Sequence, residues 1–195
     1  MAHHIYHTRG LILGSVPTGE ANRFYKIFTE ELGLVGATAQ AIREGKSKLR
    51  YGLQDFSWVF VDLVRGKEVW RITSAREDES TSTIKSDPRV LKVFARACSL
   101  ILRLVHGEDR DDTLFHELVA LSRFLEQGSV PEKLLPICEA LVALRILAQL
   151  GYLEASPYVE FLKEGDWSEE ILVALELRYE KAVIDINSAL RESHL

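Results

Sequence analysis

The sequence predicts an α+β chain: a small closed β-barrel followed by an all-helical domain. Three observations carry this reading. Through the first 75 positions, short β-prone runs are separated by turn residues. Beyond residue 86, apolar residues recur at spacings of three and four. Between them Glu77–Lys85 is polar, rich in Ser and Thr, and without apolar period, so it reads as a linker or extended connection. The expected domains are residues 1–78 and 86–195.

Five strands are expected in the first part. Tyr6–Val16 is apolar and ends at the turn signal Pro17-Thr18-Gly19. Arg23–Thr29 is aromatic-rich, and Gly33 separates it from Leu34–Ile42. In Phe56–Val64 the aromatics Phe56, Trp58 and Phe60 alternate with Ser57, Val59 and Val61. Arg65-Gly66-Lys67 then turns the chain into Val69–Thr73. Five such strands in so short a stretch suit a closed barrel, which leaves no sheet edge.

The helices follow in order. Asp87 can cap a helix whose first turn holds Pro88, where a missing N–H costs nothing. Its stripe is Leu91, Phe94, Ala95, Cys98, Ile101, Leu102 and Val105, and Gly107 ends it. Asp111-Asp112 opens a second helix with the stripe Leu114, Phe115, Leu118, Leu121 and Leu125, closed by Gly128. Pro131–Leu150 is a third, with a kink or restart expected near Ile137 because Pro136 falls inside it. Ser156-Pro157 opens a short helix to Glu164. Asp166 and Glu169 read as a capping box for a last helix running to about Ser193.

Composition narrows the function classes. An apolar fraction of 47% supports a packed core. No apolar run reaches the roughly 18 residues of a spanning helix, and no secretory leader is recognisable. Cys98 and Cys138 sit in apolar helical surroundings and read as small buried hydrophobes of a reducing compartment, so a cytoplasmic protein is expected. The net charge of −5 is uneven. Residues 1–76 hold 11 Lys/Arg against 7 Asp/Glu, and residues 77–195 hold 13 against 22. A basic first part and an acidic second part suit different partners.

The stretch 39–56 concentrates that basic charge. Arg43, Lys46, Lys48 and Arg50 fall within eight positions against the single acid Glu44, and Tyr51 follows. Clustered cations beside an aromatic suit a polyanion carrying bases: the cations neutralise phosphates and the ring stacks. The plainer alternative is a solvated basic turn. Arg9, Arg23 and Lys26 extend the same candidate surface. Trp58, in the most apolar strand, reads as core, and Trp70 is ambiguous. His3, His4 and His7 lack nearby carboxylate or cysteine, so no metal site is expected there. His116-Glu117 has no second His four residues on, and no P-loop is present, so no catalytic residue, nucleotide or metal cofactor is assigned.

The first part resembles the N-terminal domain of the bacterial recombination mediator family RecO. The resemblance runs through Thr8-Arg9-Gly10-Leu11-Ile12-Leu13, Gly19-Glu20-Ala21-Asn22-Arg23 and Phe28-Thr29-Glu30-Glu31-Leu32-Gly33-Leu34-Val35. It continues through Arg43-Glu44-Gly45-Lys46-Ser47-Lys48-Leu49 and Leu53-Gln54-Asp55-Phe56. In the second part, Leu114-Phe115 and Arg145–Leu153 resemble family helices. Many members carry a four-cysteine zinc module after that point. This chain has no cysteine after Cys138, so it resembles compact, zinc-free members.

The resemblance implies an oligonucleotide-binding (OB) barrel joined to a helical domain. It implies a non-enzymatic mediator of DNA repair and recombination, nucleoid-associated in the cytoplasm. Such a protein binds single- and double-stranded DNA, anneals strands and helps load the recombinase RecA. It engages the acidic C-terminal tail of single-strand-binding protein (SSB), with RecR as a further candidate partner. Arg96, Arg103 and Arg145, which interrupt apolar helical stripes, are the candidates for pairing that tail's carboxylate. A snorkelling arginine is the alternative for each. Two other function classes stay open: an RNA-binding barrel, and a protein–protein adaptor dominated by the helices.

Overall fold

A computed structural model describes residues 4–42, 49–128 and 130–192. Five strands form a closed barrel: β1 (Ile5–Thr18), β2 (Asn22–Thr29), β3 (Gly33–Ala39), β4 (Trp58–Arg65) and β5 (Trp70–Glu77). Neighbour order around the barrel is β1-β2-β3-β5-β4, with β3 and β5 parallel and the other pairs antiparallel. This is the OB arrangement that the sequence predicts.

Closure depends on the length of β1. Its first half pairs with β4, Ile5 against Val64 through Leu11 against Trp58. Its second half pairs with β2, Gly10 against Thr29 through Thr18 against Asn22. A register shift between Ile12 and Gly14 bends the strand from one neighbour to the other, as bulges do. Alternate residues point inward, and Ile12, Tyr25, Ile27, Val35, Ala37, Val59, Val61, Leu63 and Ile72 pack as one core. Burying an aliphatic side chain there stabilises by about 1.5–3 kcal/mol.

A short helix, α1 (Leu49–Gly52), lies between β3 and β4, where no helical period marks it in the sequence. The chain divides into two compact units, and His106–Asp111 belongs to the barrel unit together with the residues up to Thr81. Within that unit Glu108 accepts the Trp70 indole N–H at 2.9 Å and pairs with Arg65. Gly33 turns β2 into β3 with φ +64°, and a Cβ there would lie 2.2 Å from the Asp109 carbonyl oxygen. Only glycine meets both demands.

The second unit is helical: α2 (Ser82–Ser86), α3 (Pro88–Leu104), α4 (Asp112–Glu126), α5 (Leu135–Gln149), α6 (Glu169–Glu176) and α7 (Tyr179–Glu192). The stretch expected as a polar linker is instead the end of β5 and helix α2. The Glu126 carboxylate accepts the Thr83 and Ile84 N–H groups at 3.0 and 3.1 Å, and Ile84 is buried. Asp87 caps α3 by accepting the Arg89 N–H at 2.9 Å. The Arg89 side chain also bonds the Asp87 carboxylate, which holds its pKa down at about 2.

Of the kink or restart expected near Ile137, the restart is found. A 3₁₀ turn at Glu132–Leu134 precedes α5, and Pro136 occupies its first turn, where no N–H is required. α5 is buried almost all round and is the central helix of the unit. The last expected helix is two. The Ser168 hydroxyl, not Asp166, accepts the Ile171 N–H at 3.3 Å and opens α6. The chain breaks at Leu177-Arg178, where Arg178 is held by the Pro157 carbonyl at 3.1 Å and by Glu160 at 2.9 Å.

Candidate nucleic-acid interface

Cross-strand register assembles a basic aromatic row on the outer face of the barrel. In β2, Tyr25 and Ile27 point inward, so Phe24 and Lys26 point outward. Phe24 is opposite Thr38 of β3, Thr38 is opposite Arg71 of β5, and Arg71 is opposite Val64 of β4. Lys26 is opposite Gly36, and its ammonium lies 5.8 Å from the centre of the Phe24 ring. Lys26 and Arg71 are exposed; Phe24 and Thr38 are partly exposed.

The β4–β5 turn extends this row. Gly66 donates its N–H to the Val69 carbonyl at 3.1 Å, and a Cβ at Gly66 would sit 2.3 Å from that oxygen. Val64, Arg65, Gly66, Lys67 and Arg71 bound a depression of about 380 Å³. Lys67 is exposed, while Arg65 stacks over Trp70 at 4.7 Å and pairs with Glu108. Lysine and arginine at a concave surface offer point charges and planar donors to phosphate oxygens.

The residues singled out from the sequence distribute unevenly. Arg43, Lys46 and Lys48 lie outside the described residues, as does His3. Arg50 is described by its backbone alone, in α1. Tyr51, beside it, is 81% exposed. Lys26 belongs to the outer row. Arg9 does not: its guanidinium bonds Glu79 at 2.6 Å, pairs with Asp78 and lies 5.3 Å over the buried Trp58. Arg23 donates to Ser15 Oγ at 2.8 Å, which donates to Asp55 at 2.6 Å. Burial pushes the nearby Tyr25 hydroxyl up in pKa; Arg23 opposes the shift and Asp55 adds to it. Trp58 and Trp70 are both buried, which removes them as stacking surfaces.

Phe24, Thr38, Arg71 and Lys67 were not singled out from the sequence. Arg71 sits between the inward Trp70 and Ile72, so alternation alone marks it as outward. Its proximity to Phe24 depends on the β3–β5 pairing, which no local pattern encodes.

In the helical unit, α3, α5 and α7 enclose a second depression of about 380 Å³. Apolar Ala97, Leu100, Val142 and Val183 line it, with Arg96 and Arg103 among its walls. Arg96 pairs with Glu139, and Arg103 donates to the Leu190 carbonyl at 3.2 Å. Arg145 is not part of this groove. It is 5% exposed and bonded to Glu117, the Phe161 carbonyl and the Asp166 carbonyl, so it is a structural cation. Among the described residues, no group of three or more His, Cys, Asp or Glu is placed to hold a metal ion. No described helix is long and apolar enough to cross a membrane.

Comparison with known proteins matches this architecture. Residues 1–78, the span of the barrel strands, fit the family described as "Recombination protein O N terminal". The barrel half of the chain is thus similar to the N-terminal domain of RecO proteins. Similarity extends into the helices. The "DNA repair protein RecO" of Dehalococcoides mccartyi strain CBDB1 is 29% identical over 149 residues, 76% of this chain and 57% of that protein. Those of Clostridium novyi and Heliobacterium modesticaldum are 28% identical over 148 residues and 30% identical over 170. They are covered over 57% and 60% of their lengths, so the chain spans little more than half of the RecO proteins it matches.

Proposed function

We propose that this chain binds single-stranded DNA through its RecO-type barrel and acts as a non-enzymatic mediator in recombinational repair. The observation that carries the reading is the outward row Phe24–Thr38–Arg71 with Lys26 beside it, on the strand surface that OB barrels use for oligonucleotides. The basic stretch Arg43, Lys46, Lys48 and Arg50 adds four cations between β3 and β4. The relatives' name, DNA repair protein RecO, supports DNA as the polyanion.

The mechanism is charge neutralisation. Each phosphate paired with Lys or Arg releases counterions, so binding is strong at low salt and indifferent to sequence. Two strands neutralised on one surface repel each other less, and base pairing then supplies the energy of annealing. No nucleotide hydrolysis is required. Competition between single-stranded DNA and RNA of equal length, together with an annealing assay on complementary oligonucleotides, tests the reading. Preference for RNA, or binding without faster annealing, would contradict it.

A second reading concerns the helical unit and rests on the groove of α3, α5 and α7. Apolar walls with Arg96 and Arg103 suit a peptide that ends in an apolar residue and a free carboxylate, the chemistry of an SSB-type acidic tail. Glu139 already pairs with Arg96, so an incoming carboxylate competes with it.

A further inference from the structure

We infer that Phe24 is a stacking platform for one base of the bound strand; this deepens the DNA-binding reading and rests on it. The ring has a prepared seat. Diagonally across in β3, opposite Lys26, the chain carries Gly36, and a Cβ there would come within 2.6 Å of Phe24 Cζ and 3.1 Å of Cε2. The far edge of the ring therefore sits at Gly36, in space that a side chain there would fill. Its neighbours across the row are Thr38 and then Arg71, both on the outer face.

The surrounding charges fit a nucleotide. Lys26 is exposed, and its ammonium is 5.8 Å from the ring centre. A cation–π contact at an exposed site is weak, so a phosphate can draw that ammonium away and leave the ring to a base. Arg71, two strands across, is placed for a neighbouring phosphate. Stacking on an aromatic face tolerates every base, which matches sequence-independent binding. The Phe60 ring of β4, 39% exposed, differs: the Arg76 guanidinium covers it at 4.7 Å.

The test separates ring from charge. Binding of an oligo-dT and of an abasic oligonucleotide of equal length is measured on the full chain at low salt. Phe24→Leu keeps an apolar side chain on Gly36 and removes the π face. It should weaken oligo-dT binding roughly tenfold and leave the abasic strand unchanged. Gly36→Ala, which pushes the ring off its seat, should give the same selective loss, and Phe24→Trp should retain or tighten oligo-dT binding. If Phe24→Leu weakens both strands alike, or neither, the platform is wrong while phosphate binding stands. If the unaltered chain binds neither strand, the DNA-binding reading itself fails. Loss of oligo-dT binding in Phe24→Trp would also overturn the platform, even where Phe24→Leu does not fold.

Discussion

Arg145 Nη1 donates to Glu117 Oε1 at 2.8 Å in the interior of the helical unit, with both side chains almost wholly removed from solvent. The pair is saturated. Glu117 also accepts the Trp167 indole N–H at 2.8 Å and the Gly165 N–H at 3.1 Å. Arg145 also donates to the carbonyls of Phe161 and Asp166, and lies 4.8 Å from the Trp167 ring centre. The pair thereby ties the segment 161–167 to α4 and α5. Removing one member strands the other charge, which costs about 3–5 kcal/mol. Glu117→Ala is predicted to lower stability by that amount in urea unfolding. An unchanged midpoint would show that the network is not structural.

Glu126 makes the second prediction, through pH. Partial burial would raise its pKa. The N–H groups of Thr83 and Ile84 and the hydroxyls of Thr83 and Ser82 outweigh burial and hold it below its ordinary value of 4.5. Its contribution is therefore complete above about pH 4.5 and drains away as pH falls through the lower folded value. Glu126→Gln should be less stable than the unaltered chain by about 1 kcal/mol at pH 7, the scale of a helix cap. The gap should close as pH falls below 4.5. A gap independent of pH would remove the carboxylate from the account.

Gly33→Ala is predicted to be strongly destabilising. The positive φ alone costs about 1–2 kcal/mol, and the new Cβ would collide with the Asp109 carbonyl oxygen. Thermal unfolding of this variant against Gly14→Ala, where no atom lies within 4 Å of the added Cβ, isolates the effect.

The groove of the helical unit should bind an acidic peptide with an apolar C-terminal end at about micromolar affinity. Recognition there is local, so salt sensitivity should be moderate. Arg103→Ala should weaken binding, and so should amidating the peptide's C-terminus. Equal binding of the amidated peptide would refute carboxylate capture.

The strands were legible because β-prone runs are separated by turn residues, β4 also because it alternates, and α3 because Asp87 and Pro88 announce it. The unforeseen features depend on distant partners. α2 forms in a polar stretch because Glu126, more than forty residues away, takes its N–H groups. Arg145 has the same local setting as Arg96, an arginine in an apolar stripe, and only Glu117 on another helix makes it internal. Arg9 reads as a free cation until β5 brings Asp78 and Glu79 beside it. The Phe24–Arg71 row depends on a parallel pairing between β3 and β5, which a reading of separate strands does not contain.

The most direct measurement is the salt dependence of single-stranded DNA binding, for the unaltered chain and for one in which Arg43, Lys46, Lys48 and Arg50 are Ala. Each phosphate contact contributes roughly 0.7 to the slope of log affinity against log salt, so four contacts contribute about 3. A steep slope that shrinks by about 3 in the folded variant is the expected result. Further loss should follow when Lys26 and Arg71 are also neutralised. A slope unchanged by all six substitutions would contradict the barrel's role in binding DNA.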